Sequence, residues 1–327
     1  MNNITILGSG AVGCTIAHKL HQPQNSSHKN ITLVGRGEHL KQLTKNGLQI
    51  DDNGKNYIHD VNCIDISRLA ELNKQDIIFI TTKSHDIHEA AKNIELLYND
   101  DTVVIPLANG IPWWFLHNIK INNKLTIPNN FELKNFIDEK IIPTERIIGG
   151  VIYTGASIIA PGCIINKTGP KIILGELHNK TTNRITEISN IFSDANINHK
   201  ISNNIRGDIL NKLSWNIAFN TLSVIYEMNS KEMVDNKETI TKAKELMQEM
   251  IYFSELLDID MQLNIEKHIS IASSAGSHKP SMLQDYENNK KLEIYAIVGS
   301  VLDIANQLDI KLKHTKAIYK QLLDKTE

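Results

Sequence analysis

The chain has 327 residues and a formal net charge of −2, and 41% of its residues are hydrophobic. This composition is ordinary for a globular protein, with neither a basic surface for nucleic acid nor an acidic tail. Its apolar runs are too short to cross a bilayer and we expect no secretory signal, so a cytoplasmic protein with no membrane or nucleic-acid partner is predicted. A single core rarely exceeds about 250–300 residues, so we expect two domains.

The first hundred residues alternate between strand and helix patterns. Strands are predicted at 3–8, 30–35, 76–82 and 101–110, with a helix at 11–20 and an amphipathic stretch at 86–98. Nearly continuous apolar strands separated by helices indicate a parallel sheet covered on both faces. The alternating stretch at 47–64, centred on Asn53-Gly54, predicts a small antiparallel insertion.

Residues 111–146 mix turn-forming and apolar residues, and we expect a long excursion near the edge of the sheet. Strand patterns return over 146–177 with a turn at Pro161-Gly162, and a helix at 182–195 and a strand at 197–202 complete the sheet. Beyond 202 glycine becomes scarce and helical patterns take over. We therefore predict an α/β domain at 1–202 and an all-helical domain at 203–327.

A glycine-rich loop joins the first predicted strand to the first predicted helix. It reads Gly8-x-Gly10-x-x-Gly13, a dinucleotide-binding fingerprint in the context that this fingerprint requires. The first glycine permits a tight turn, the second lets the backbone approach a pyrophosphate, and the third lets the helix pack closely on the strand. Backbone N–H groups at the start of the helix bind the anion. The prediction is a Rossmann-like domain whose cofactor-binding loop consists of Gly8, Ser9, Gly10, Ala11, Val12 and Gly13.

The end of the second predicted strand indicates which dinucleotide binds. NAD enzymes usually carry Asp or Glu there, as an acceptor for the ribose 2′-OH. This chain has Arg36 between two glycines, and an arginine suits a 2′-phosphate as a charge-assisted, bidentate partner. NADPH is therefore favoured. The alternative is a solvent-exposed Arg36, with the nearby Glu38 in the acidic role.

Polar residues follow two further predicted strands. Lys83 comes directly after the strand at 76–82, within "TTKSHD". Asn109 lies at the carboxyl end of the strand at 101–110, within "LANGIP". Because ligands bind at the carboxyl ends of parallel strands in open α/β sheets, both side chains are expected to face the binding crevice. A solvent-exposed loop lysine and a simple Asn-Gly turn are the alternatives.

A polar row runs along a predicted helix at 206–226. Lys212, Asn216 and Asn220 are spaced four residues apart and so lie nearly in line on one face, while the surrounding positions are mostly apolar. A helix this apolar is expected to be buried, and one amine and two amides then need polar partners. A cleft that holds a polar substrate would supply them. A solvent-exposed stripe is the alternative.

Two more polar residues stand at predicted helix starts. Ser281 follows Pro280 and precedes Gln284 by three residues, as in a capping box. Glu293 heads the next helix, where the helix dipole favours a carboxylate. Both positions therefore have a purely structural alternative.

Cysteine and histidine usage indicates neither disulfides nor a metal site. The cysteines are Cys14, Cys63 and Cys163. An odd number without C-x-x-C spacing favours free thiols in a reducing compartment. The closest histidine spacings are His18 with His21 and His85 with His88. These pairs have no acidic or cysteine partner at ligand spacing, so we expect them on solvent-exposed helix faces.

The order of these motifs resembles the ketopantoate reductase (2-dehydropantoate 2-reductase) family. The segments that carry the resemblance are "GSGAVG", "TTK", "LANG", "PG" with "LGE", "NKLSWNIAFN", "SMLQD" and "LE". They cover essentially the whole chain, and their combination is specific although each piece is not. The resemblance implies an NADPH-dependent reductase with a Rossmann domain, an all-helical domain and an active site between them. With ketopantoate as substrate the product is pantoate, on the route to pantothenate and coenzyme A.

The resemblance also implies roles for individual residues. Lys212 takes the position of the catalytic lysine, which donates a proton while hydride passes from the nicotinamide C4 to the keto carbon of a small 2-oxo acid. The substrate-binding positions correspond to Asn109, Asn216, Asn220 and Ser281. The cofactor-binding positions correspond to the glycine-rich loop and to Arg36, Lys83, Asn109 and Glu293.

Two features depart from the typical family pattern. The family's glutamate is followed by Ile-Asp and then Asn-Gly, whereas this chain reads "LEIYAIVGS", with Tyr295 and Val298 at those places. The excursion at 111–146 is absent from the most compact members. The alternatives are therefore a reductase of another small 2-oxo acid and a non-enzymatic NADPH-sensing protein. A monomer and a homodimer both stay open.

Overall fold

The computed structural model of the protein describes residues 1–22, 29–119 and 141–326. They form two compact units. An α/β unit holds 1–22, 29–108 and 141–205, and a helical unit holds 109–119 and 206–326. The α/β unit differs from the predicted domain at 1–202, because residues 109–119 pack with the helices. Of the predicted excursion at 111–146, residues 141–146 lie in the α/β unit and residues 120–140 lie outside the described residues.

The secondary structure of the α/β unit is as follows. Its strands are β1 (Asn3–Leu7), β2 (Asn30–Gly35), β3 (Leu48–Asp52), β4 (Lys55–His59), β5 (Asn62–Asp65), β6 (Gln75–Ile80), β7 (Tyr98–Pro106), β8 (Ile148–Tyr153), β9 (Ala156–Ala160), β10 (Cys163–Asn166), β11 (Lys171–Glu176) and β12 (Asn198–Ser202). Its α-helices are α1 (Ala11–Leu20), α2 (Gly37–Asn46), α3 (Ile87–Ala90) and α4 (Asn183–Asp194), and 3₁₀ turns occupy Ile66–Glu71, Ser84–Asp86, Ile94–Leu97 and Thr144–Arg146.

The main sheet is parallel, with strand order β5-β2-β1-β6-β7. A parallel bridge between Val104 and Ile147 continues it to a second sheet of order β8-β11-β12. The predicted Rossmann-like arrangement is confirmed. The assignment of residues 62–64 to the inserted hairpin is wrong, since they belong to β5, which pairs in parallel with β2.

The inserted hairpin consists of β3 and β4, which pair antiparallel around the predicted turn. Asn53 and Gly54 both have positive φ, at 54° and 81°, as this kind of tight hairpin turn requires. The hairpin belongs to a four-stranded sheet of order β4-β3-β10-β9, which contacts α1. The predicted amphipathic stretch at 86–98 forms only the short helix α3 and a 3₁₀ turn before β7 begins.

The helical unit contains α5 (Ile205–Trp215), α6 (Thr221–Tyr226), α7 (Ser230–Asp235), α8 (Lys237–Leu256), α9 (Ile265–Ser274), α10 (Ser281–Glu287), α11 (Ser300–Gln307) and α12 (Lys313–Thr326). Two segments are π-helical, Asn216–Asn220 and Tyr295–Gly299. Phe219, Leu222 and Phe253 are fully buried in its core. In the part of the chain that the structure describes, no helix is long and apolar enough to cross a membrane.

The histidine prediction is wrong for His18. Its side chain is fully buried, and its two ring nitrogens lie 2.7 Å from His59 Nε2 and 3.2 Å from Asp52 Oδ2. The hairpin folds over α1 and covers this face of the helix, which local spacing does not reveal. His85 is also largely buried. The three cysteines carry free thiols.

Candidate active site

The glycine-rich loop leads from β1 into α1. Gly8 has φ of +115°, and a Cβ there would lie 2.7 Å from the backbone N of Thr82. A Cβ on Gly13 would lie 2.0 Å from the carbonyl oxygen of Gly8. Around Gly10, by contrast, a Cβ would meet nothing within 4 Å among the described atoms. The first and third glycines are therefore needed for close packing, and the second leaves an open approach to the backbone.

The N-terminus of α1 is suited to an anion. Gly10 is the N-cap residue, so no side chain caps this end, and the first turn carries no acidic residue. The N–H groups of the first turn and the positive end of the helix dipole then favour a phosphate at this position. The loop therefore fits the pyrophosphate of a dinucleotide.

The ends of β2 and β6 bring charged residues close to this loop. Arg36 follows β2 and precedes α2, and its side chain is 67% exposed. Lys83 is half-buried and precedes the 3₁₀ turn Ser84–Asp86 that follows β6. The Arg36 guanidinium lies 3.4 Å from the Asp86 carboxylate. Because β1 lies between β2 and β6, these side chains are carried on either side of the glycine-rich loop.

In the helical unit, three predicted residues form a hydrogen-bonded chain. Lys212 Nζ donates to Asn109 Oδ1 at 2.8 Å, and Asn109 Nδ2 donates to Glu293 Oε2 at 3.1 Å. Glu293 is buried, while Lys212 and Asn109 are half-buried. The Asn109 amide is thereby oriented, with its acceptor toward the amine and its donor toward the carboxylate. An ammonium, an amide and a carboxylate are held in line.

The backbone next to Asn109 is anchored to the second π-helical segment. Gly110 has φ of +90°, and a Cβ there would lie 2.3 Å from the carbonyl oxygen of Ala296. That same oxygen accepts a hydrogen bond from Ile111 N at 3.2 Å. This close approach, which glycine permits, places Asn109 beside Glu293.

Sequence reasoning missed Arg206, which holds the following segment in place. Its guanidinium donates to the carbonyl oxygens of Phe115 at 2.8 Å and His117 at 2.7 Å, and it lies 5.7 Å from the Trp114 ring centre. Burial lowers the pKa of Arg206 from its usual value. A charged residue at the start of an apolar helix was the only signal in the sequence, and it did not name the partners.

The two asparagines of the polar row are the first and last residues of the π-helical segment Asn216–Asn220. Both are buried, and Asn220 Nδ2 donates to Asn216 Oδ1 at 3.3 Å. Over eight residues a regular α-helix would rotate Asn220 by about 80° away from Lys212. A π-helical turn holds more residues and reduces that rotation. The π-helical segment therefore keeps the row closer to a single line.

Ser281 lies elsewhere in the helical unit. It is exposed at the first position of α10, and Pro280 is the N-cap residue, so the capping box does not form. Helix α10 contacts the segment Asn216–Asn220. Of the two departures from the family pattern, Val298 is fully buried and the Tyr295 hydroxyl donates to Asp303 at 2.7 Å.

Comparison with known families covers nearly all of the chain. Residues 4–179 match the family described as ketopantoate reductase PanE/ApbA, and residues 204–326 match the C-terminal domain of that family. The chain belongs to the ketopantoate reductase family. It is accordingly an oxidoreductase, which removes the non-enzymatic alternative.

Individual relatives and solved structures are similar to this chain over nearly its whole length. A 2-dehydropantoate 2-reductase of Mesorhizobium japonicum is 30% identical over 306 residues, which cover 94% of this chain and 92% of the relative. Among solved structures, a 2-dehydropantoate 2-reductase from Geobacter metallireducens is 21% identical with a TM-score of 0.83, covering 98% of this chain and 99% of that one. D-mandelate dehydrogenase with NADH and anilino(oxo)acetate is 23% identical with a TM-score of 0.84, covering 99% and 98%. These two structures share the fold.

Proposed function

We propose that this protein reduces 2-dehydropantoate (ketopantoate) to pantoate with NADPH, a step toward pantothenate and coenzyme A. The observation that carries the proposal is the chain from Lys212 through Asn109 to Glu293, which places an ammonium group on an oriented amide. Membership of the family and the activity of its named relatives support the choice of substrate. The proposal places the reaction in the cytoplasm, in keeping with the free thiols.

The α/β unit would hold the cofactor. The glycine-rich loop and the uncapped start of α1 would take the pyrophosphate, with Gly10 at the point of closest approach. Arg36 would pair with the 2′-phosphate and Lys83 would add a second positive charge. When bound, NADPH supplies the hydride that reduces the keto carbon.

Lys212 would act as the general acid. As the carbonyl carbon gains a hydride its oxygen becomes negatively charged, and an ammonium group there both donates a proton and stabilises that charge. The Asn109 side-chain oxygen accepts a hydrogen bond from one of the three N–H groups of Lys212, so the other two N–H groups point away from Asn109. Glu293 acts through Asn109 by fixing the orientation of its amide. Asn216 and Asn220 would orient the hydroxyl or carboxylate of the substrate, with help from Ser281.

Replacement of Lys212 by alanine tests this mechanism. We expect kcat to fall by about 10²–10⁴-fold, because the proton donor and the charge beside the oxygen are both lost. The Kd for NADPH should change little, since the glycine-rich loop and Arg36 lie in the other unit. Steady-state kinetics, an NADPH titration and the melting temperature measure these effects.

A matched control is Lys244→Ala in the same unit. Lys244 is half exposed and forms an ion pair with Glu266. Such pairs contribute about 0–1 kcal/mol, so this variant should keep both stability and turnover. A folded Lys212→Ala variant whose kcat stays within a few-fold of the parent would show that another group donates the proton.

A second candidate is the reduction of another small 2-oxo acid by the same residues. Tyr295 and Val298 favour it, because they stand where the family typically has Asp and Asn. Both lie in the π-helical segment that begins two residues after Glu293. A change of side-chain size and polarity this close to the proposed site would alter which acid binds best.

A further inference from the structure

A carboxylate beside Arg36 has no role in the proposed function. Asp86 lies at the end of the 3₁₀ turn after β6, and its Oδ1 is 3.4 Å from the Arg36 guanidinium. The two residues are 50 positions apart in the chain. Both side chains are exposed, 67% for Arg36 and 41% for Asp86. A cation and an anion thus share the surface next to the end of β2.

Asp86 is also bordered by a second basic residue. His85 Nε2 lies 3.6 Å from the other carboxylate oxygen of Asp86, and the His85 side chain is only 11% exposed. The Asp86 carboxylate therefore has the Arg36 guanidinium beside one oxygen and a largely buried ring beside the other. Its position is set by the turn that ends β6, close to the cofactor-binding loop.

We infer that Asp86 is a second determinant of cofactor preference and acts against Arg36. This inference rests on the proposed function, in which Arg36 contacts the 2′-phosphate of NADPH. At the end of the second strand a carboxylate accepts a hydrogen bond from the ribose 2′-OH of NADH, whereas a guanidinium pairs with the 2′-phosphate of NADPH. Here the fold supplies both groups within 3.4 Å of each other. Asp86 thus reduces the factor by which NADPH binds more tightly than NADH.

The physical effect is repulsion between like charges. An exposed ion pair contributes little to stability, so a phosphate replaces Asp86 as the partner of Arg36 at small cost. The carboxylate nevertheless stays well within the screening length of about 10 Å at 0.1 M salt, where it repels the phosphate. With NADH the phosphate is absent, and the same carboxylate becomes a hydrogen-bond acceptor for the ribose.

The test measures Kd for NADPH and for NADH in the parent protein, Asp86→Asn, Arg36→Gln and Glu89→Gln. Asparagine keeps the shape of Asp86 and removes its charge, so NADPH should bind about three- to tenfold more tightly and NADH no more tightly than before. Glu89→Gln is the matched control, because it removes the same charge from an exposed position in α3. It should change the ratio of the two Kd values by less than Asp86→Asn does, because Coulomb energy falls with distance and Asp86 is the carboxylate that lies 3.4 Å from Arg36.

The outcomes separate this inference from the proposed function. An unchanged ratio of the two Kd values in Asp86→Asn, or an equal change in Glu89→Gln, would overturn the role of Asp86. The Arg36→Gln variant reports on the proposed function alone. A loss of NADPH affinity of about tenfold or more, with NADH unaffected, supports the phosphate contact whatever Asp86 does. Unchanged NADPH affinity in Arg36→Gln would remove the phosphate contact itself.

Discussion

Positions 8, 10 and 13 are occupied by glycine for three different reasons, which concern Gly8, Gly10 and Gly13 separately. Gly8 adopts a φ that other residues avoid, and Gly13 allows helix α1 to approach the loop backbone. Gly10 has neither constraint, with a φ of −72° and open space where a Cβ would project. The fold itself does not require glycine there, and the proposed contact with the pyrophosphate accounts for it.

This difference gives a prediction at the residue scale. Gly13→Ala should lower the free energy of unfolding by about 1–3 kcal/mol or more, because its Cβ collides with the Gly8 carbonyl oxygen. Gly10→Ala should keep that free energy within about 1 kcal/mol. It should nevertheless weaken NADPH binding by about tenfold or more, because its Cβ occupies the approach to the pyrophosphate.

Urea unfolding of the two glycine variants measures the loss of stability, and an NADPH titration measures the loss of cofactor affinity. Each variant serves as the control for the other, since both add one methyl group to the same loop. If Gly10→Ala bound NADPH as tightly as the parent, the pyrophosphate would not lie at this loop.

At the scale of secondary-structure elements, helix α1 is tied to the inserted hairpin by a polar cluster. His18 of α1 contacts His59 of β4 and Asp52 of β3. Asp52 also accepts hydrogen bonds from Lys19 at 2.7 Å and from Asn166 of β10 at 2.8 Å. The helix that begins at the glycine-rich loop is therefore held at its other end to the four-stranded sheet.

The ionisation of this cluster follows from its burial. Loss of hydration lowers the pKa of His18 below its usual value and lowers that of His59 to about 4. Burial alone would raise the pKa of Asp52, but hydrogen bonds from Lys19 and Asn166 hold it below its usual value. The folded protein thus keeps both histidines neutral beside an ionised carboxylate.

A pH prediction follows at this scale. The pKa of a histidine in the unfolded chain is about 6.5, so between pH 7 and pH 5 the unfolded state takes up a proton that folded His59 does not. The contribution of His59 to the free energy of unfolding is therefore fully present above pH 6.5 and is lost as the pH is lowered toward 4. For His59 the loss between pH 7 and pH 5 should be about 1 kcal/mol after allowance for solvent screening.

Urea unfolding at pH 7 and pH 5 measures this loss in the parent, His59→Gln and His178→Gln. The His59→Gln variant should lose less stability than the parent on acidification, whatever its stability at pH 7. His178 is exposed and lies outside the cluster, so His178→Gln is the control for replacing a histidine elsewhere in the same unit. Identical pH dependence in all three proteins would show that His59 takes up a proton as readily in the folded state as in the unfolded state.

At the scale of the whole molecule, the proposed functions are divided between the two units. The α/β unit carries the glycine-rich loop, Arg36 and Lys83, and the helical unit carries Lys212, Asn109 and Glu293. Asn109 belongs to the helical unit although it follows β7 by only three positions. The chain thus passes from β7 to the helical unit within three residues, and Asn109 contacts the proposed proton donor there.

Substrate preference is a property of the complete enzyme, and we expect ketopantoate to be its best substrate. A panel of 2-oxo acids assayed by NADPH absorbance should give the highest kcat/KM for ketopantoate, with bulkier or more apolar acids as the nearest competitors. A competitor that exceeded ketopantoate by about tenfold, or 1.4 kcal/mol, would refute the pantothenate assignment and leave the family intact. Lys212→Ala is the control, since it should lose activity toward every acid that uses this site.

The sequence by itself determined the features that depend on neighbouring residues. Strand and helix periods, the hairpin turn at Asn53-Gly54 and the glycine-rich loop were predicted because backbone sterics and the burial of one face act over a few positions. The placement of Lys212, Asn216 and Asn220 on one face of a helix was predicted for the same reason. The π-helical segment that keeps them near one line was not, since its hydrogen bonds depend on how the whole helix packs.

Tertiary structure alone decided which distant residues meet. It joined Asn109 to Glu293 across 184 positions and Arg36 to Asp86 across 50, and it buried His18 beneath the hairpin. It also placed β5 in the main sheet and residues 109–119 with the helices. Such contacts are selected by the packing and hydrogen bonding of particular pairs of surfaces, and these leave no period or spacing in the chain.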